Sequence, residues 1–90
     1  MKTVIFNGNK NIISNRLKEA RKQKNISQED LAARLQVMNI PVYQPTISEI
    51  ERNVRLVTDY ELAAFCKVLQ ITPEWLLADL DSIIEEAKED

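Results

Sequence analysis

Two stretches decide how this chain folds. The first is Ser27-Gln28-Glu29-Asp30-Leu31-Ala32-Ala33-Arg34-Leu35-Gln36-Val37-Met38, and the second is Gln44-Pro45-Thr46-Ile47-Ser48-Glu49-Ile50-Glu51-Arg52. Ser27 stands where a helix N-cap belongs, and Glu29 and Asp30 favour the positive end of the helix dipole behind it. Leu31, Leu35 and Met38 then recur at helical spacing. In the second stretch Pro45 can open a helix at its first position, because it has no N–H to donate, with Gln44 just outside. Ile47 and Ile50 share one face of a helix of about two turns, ending near Arg52-Asn53. Ile40-Pro41-Val42-Tyr43-Gln44-Pro45 cannot be helix interior, since each proline pushes its predecessor toward an extended conformation. The reading is two short helices joined by a turn.

The same periodicity extends outward. Ile13, Leu17 and Ala20 predict a helix before the first stretch, with Ser14 or Asn11 to cap it. Asn25, Asn39 and Asn53 stand at expected helix stops, where Asn tolerates the left-handed conformation. Thr58, Asp59 and Glu61 open a helix with Leu62, Phe65, Cys66 and Leu69 on one stripe. Thr72-Pro73-Glu74 opens another. From Leu76 the apolar positions continue at Leu80, Ile83, Ile84 and Ala87, either as one helix or with a restart at Asp81-Ser82. One glycine and three prolines are too few for a turn-rich β-sandwich or barrel. The expected fold is an all-α bundle of five helices, six if the last stretch divides. Residues 1–11 form an arm, 12–78 the helical domain and 79–90 an acidic helical extension.

Ninety residues allow one domain. Histidine is absent and Cys66 is alone, which excludes a four-ligand structural zinc site, an internal disulfide and Ser-His or Cys-His catalysis. Cys66, in an apolar helical stretch, reads as packing. Glu29 and Asp30 are adjacent, so they point to different sides of a helix and are poorly placed to share a reacting atom. No enzyme, metal, cofactor or small-molecule ligand is indicated. Val4-Ile5-Phe6 is too short an apolar run for a signal peptide or membrane helix, so the expected location is cytoplasmic. Residues 1–58 carry ten Lys/Arg against five Asp/Glu, whereas residues 59–90 carry two against nine. A net charge of −2 therefore hides a dipole. Arg16, Lys18, Arg21, Lys22 and Lys24 are either a solvated helix face or a phosphate-facing patch.

Four blocks in order resemble the Cro- and repressor-type helix-turn-helix family of phage and bacterial transcription regulators. They are Arg16-Leu17-Lys18-Glu19-Ala20-Arg21, Ser27-Gln28-Glu29-Asp30-Leu31-Ala32, Pro45-Thr46-Ile47-Ser48-Glu49-Ile50-Glu51-Arg52, and Asp59-Tyr60-Glu61-Leu62 followed by Trp75-Leu76-Leu77. The resemblance makes residues 12–78 a DNA-binding domain of the lambda-repressor-like type and the helix from Pro45 its recognition helix, packed on Leu31. It also places Gln28 against a phosphate and joins Arg21 to Glu51 in a structural ion pair. Residue chemistry agrees, since Gln44 can pair with adenine, Thr46 can offer a methyl to thymine and Glu49 can accept from cytosine. Thr46 and Ser48 also fit plain surface polarity, and Glu49 repels phosphate if it misses a base. Arg52 and Arg55 either hold phosphates or are solvated. Tyr43 is a groove contact or, preferably, a lid over the core. The turn is longer than the family's by about five residues, 39–43, at little thermodynamic cost.

The leading expectation is a sequence-specific regulator of double-stranded DNA, a repressor acting as a homodimer. Leu76, Leu80, Ile83 and Ala87 have coiled-coil-like spacing and are the candidate dimer seam; the other option is that they fold back onto their own core or onto Val4-Ile5-Phe6. The alternative function is a protein–protein module on the same fold, such as an antitoxin or partner-binding regulator. The acidic extension and the long turn favour it.

Overall fold

In the computed structural model, residues 6–87 are described; Val4 and Ile5 lie outside them, as do residues 88–90. Six helices follow in order: α1 (Ser14–Gln23), α2 (Gln28–Val37), α3 (Gln44–Glu51), α4 (Asp59–Leu69), α5 (Pro73–Leu76) and α6 (Asp79–Ala87). Two helices start on reciprocal caps, in which Ser27 accepts from the Asp30 amide and Thr58 from the Glu61 amide while each acid returns to the cap's own N–H. α1 starts differently from expectation. Its N-cap is Ile13, without a side-chain cap, and Asn11 Oδ1 instead accepts from the Ile13 N–H at 3.0 Å. α3 begins one residue before Pro45, with extended Tyr43 as its N-cap.

Asn25, Asn39 and Asn53 all adopt positive φ, 56°, 61° and 62°, and Gln70 does the same at 56°. Each reverses the chain after a helix. These stops let α2 pack on α3 and α4, and α1 on α3, α4 and α5. The core includes Leu17 and Ala20 from α1, Leu31 and Leu35 from α2, Ile47 and Ile50 from α3, Phe65, Cys66 and Leu69 from α4, and Leu76 from α5.

The long turn adds Val42 to that core, fully buried, and leaves Tyr43 55% exposed. The lid over the core is therefore Val42, not Tyr43, because adjacent residues of an extended segment face opposite ways. Leu76 also departs from expectation. It is fully buried in its own chain and cannot join a dimer seam. The stripe is broken at Leu77-Ala78 between α5 and α6, so only Leu80, Ile83 and Ile84 continue it within the described side chains; that of Ala87 lies outside them. α6 is fastened by Asp79, which accepts from Arg16 Nε at 2.9 Å, while the Arg16 guanidinium lies 4.9 Å from the Trp75 ring centroid. A hydrogen bond from Asn7 Nδ2 to the Ile83 carbonyl adds a second tie.

Candidate nucleic-acid interface

α3 turns Ile47 and Ile50 into the core, which leaves Thr46 and Ser48 half-buried and Glu49 and Arg52 exposed. Ile47 meets the core that Leu31 and Leu35 supply from α2. Pro45 lies in the first turn, so one N–H that a helix start would leave unpaired is absent.

Between Glu51, the last residue of α3, and Gln44, its first, the structure joins residues from three helices in one relay. Arg21 donates through Nε to Glu51 Oε2 at 2.8 Å and through Nη2 to Oε1 at 2.9 Å, and its third group, Nη1, donates to the Ile26 carbonyl at 2.9 Å. Both side chains are largely buried, 11% and 3% exposed. Hydrogen bonding to Glu51 holds the guanidinium above its ordinary pKa, against the opposing effect of burial. Glu51 Oε1 also accepts from Gln28 Nε2 at 3.0 Å, and Gln28 Oε1 accepts from Gln44 Nε2 at 2.8 Å.

The chemistry of that relay fixes its direction. A carboxylate can only accept, so Gln28 must turn its NH₂ toward Glu51 and its oxygen toward Gln44. Gln44 must then spend one N–H on Gln28. Its other N–H and its Oε1 are left over, one donor and one acceptor.

The basic residues divide. Arg55 Nη1 lies 3.2 Å from both oxygens of buried Glu61 and donates to the Leu56 carbonyl as well, so its charge is largely engaged by its own fold. Arg52 is exposed and makes one contact, from Nε to Ser48 Oγ at 3.3 Å. On α1, Arg16 and Arg21 are paired, whereas Lys18, Lys22 and the C-cap Lys24 are exposed. Two features escaped sequence reasoning. Glu61 has the sequence signature of a first-turn acid and nothing more, and the arm's contacts with Asn53 join residues 42 to 44 positions apart, a distance at which no local pattern operates.

A short helix carrying a fixed amide at its exposed start, set against a second helix across a turn, is the helix-turn-helix arrangement. The chain belongs to the helix-turn-helix family of Cro- and repressor-type regulators, whose model matches residues 17–76. No curated protein and no solved structure gives a significant match. Membership makes this a DNA-binding helix-turn-helix regulator. Among the described residues, no helix is long and apolar enough to cross a membrane.

Proposed function

We propose that this protein is a sequence-specific regulator of double-stranded DNA, a repressor that binds as a homodimer and reads the major groove with α3. The observation that carries this reading is the relay ending at Gln44. It leaves one donor and one acceptor on one amide, the pair of groups that adenine N7 and the N6 amino group call for. Thr46, Ser48 and Glu49 supply the neighbouring base contacts. Arg52 holds a phosphate, while Gln28 touches one with the N–H that the relay does not use. Arg55 is assigned to the fold through Glu61.

One α3 spans only a few base pairs, so specific binding calls for two half-sites about 34 Å apart. The apolar face of α6 is the proposed contact between copies, with Leu80 39% exposed and its acidic residues turned away from DNA. The test is selection of bound duplexes from a randomised pool at about physiological salt. An inverted repeat with an adenine that loses its preference in Gln44→Ala supports the reading. A folded protein that enriches nothing rejects it.

A second reading, capture of a protein partner, draws on exposed apolar residues at and beside the long turn, Val37 at the end of α2 at 84% and Tyr43 at 55%. It predicts weak, sequence-independent duplex binding and an interaction that survives rising salt, whereas binding through phosphates weakens steeply.

A further inference from the structure

A second network holds the C-terminal end of α3 and the residues just beyond it. Asn53 follows the helix, and its side chain turns back onto the N-terminal arm. Its Oδ1 accepts from the backbone N–H groups of Lys10 and Asn11, both at 3.0 Å, and its Nδ2 donates to Asn9 Oδ1 at 2.6 Å. Asn11, buried, returns the tie: its Nδ2 donates to the carbonyls of Ile50 and Arg55, both at 3.0 Å. Five hydrogen bonds therefore cross from the arm to the last turn of α3 and the loop behind it.

A helix of two turns has little stability of its own, and its placement depends on what holds it. Ile47 and Ile50 hold one face, but apolar contact is non-directional and tolerates sliding and rotation. Hydrogen bonds are directional. The relay through Gln28 ties both Gln44 at the start of α3 and Glu51 at its end, and the arm adds a second set of ties at the C-terminal end. A reading helix must present its donors to base edges within about 0.5 Å, so both ends matter.

We infer that Asn9, Asn11 and Asn53 are positioning residues for DNA reading: the arm clamps the C-terminal end of α3 and sets the angle at which Gln44 meets a base. The inference rests on the reading of α3 as a DNA-recognition helix. A merely stabilising arm would affect the fraction folded, whereas a positioning arm affects discrimination among duplexes by protein that is fully folded.

Asn53→Gly is the informative substitution, because glycine keeps the positive φ without strain while Oδ1 and Nδ2 are removed. Affinities of wild type and N53G are compared for a selected duplex and a scrambled one of equal length, at a temperature where circular dichroism shows both proteins folded. The expected result is a roughly tenfold fall in the ratio of the two affinities, the scale of one well-formed base contact, with scrambled-duplex affinity unchanged and amide protection lost at Lys10 and Asn11. Asn9→Ala, which removes the 2.6 Å bond from Asn53 and an exposed bond within the arm to the Asn7 carbonyl while leaving the other four cross-links, lowers the ratio less and serves as the test if N53G does not fold. An unchanged ratio, or equal weakening on both duplexes, overturns the inference. Failure of the wild type to discriminate is seen before any substitution and rejects the underlying reading, and the inference with it.

Discussion

Arg21 and Glu51 show how much rests on one pair of side chains. The guanidinium directs all three of its nitrogens inward, two at Glu51 and one at the Ile26 carbonyl, and Glu51 in turn orients Gln28. Removing one partner leaves a buried charge uncompensated. Arg21→Met should cost about 3 kcal/mol in urea unfolding, and Arg21→Met with Glu51→Met should recover most of that loss. The residue types were legible in the sequence only through the family resemblance; nothing in a separation of 30 positions identifies the pair by itself. Cys66 is the opposite case, since an apolar stripe already marks it as packing. Burial pushes its thiol pKa up, so the folded protein binds that proton more tightly than the unfolded chain does. Its contribution is complete below the unfolded value, roughly 8.5, and is lost as pH rises through the higher native value. Wild type should therefore lose more stability than Cys66→Ala between about pH 8 and about pH 10, as thermal unfolding across that range will measure.

Helix boundaries are where sequence and structure agree best, because caps and stops act over three or four residues. Ser27, Thr58 and Thr72 cap, and Asn25, Asn39 and Asn53 stop, as their side-chain chemistry predicts. Gln70 is the exception. It has the same left-handed backbone, φ 56°, without a side chain suited to it, and is held there because α5 must turn back onto α4. Gln70→Gly should therefore raise stability by about 1 kcal/mol, visible as a higher Tm. Thr58→Ala should lower it by about 1 kcal/mol, since the Glu61 amide loses its acceptor. The long turn was recognisable from Pro41 and Pro45. That Val42 and not Tyr43 enters the core depends on how the turn lies across α2 and α3, which the flanking prolines do not dictate.

For the whole molecule, salt and assembly carry the predictions. If Arg52 neutralises a phosphate, Arg52→Ala should lower the slope of log affinity against log salt by about 0.9; Arg55→Ala should leave the slope nearly unchanged and lower stability instead, because Arg55 serves Glu61. Leu80→Asp with Ile83→Asp should convert a dimer to a monomer in sedimentation, and an unchanged dimer would remove α6 from the interface.

Helix content, the order of the helices and the family were determined by the sequence alone, because periodicity, caps and ordered motifs are local or cumulative signals. Only the tertiary structure decided that Arg16 belongs to Asp79 and Trp75, that Arg55 belongs to Glu61, that Leu76 is sealed in the core and that Asn53 ties the arm to α3. Each of these pairings spans a loop whose course depends on the packing of every helix around it, and each converts a residue that looks free along the chain into one already engaged by the fold.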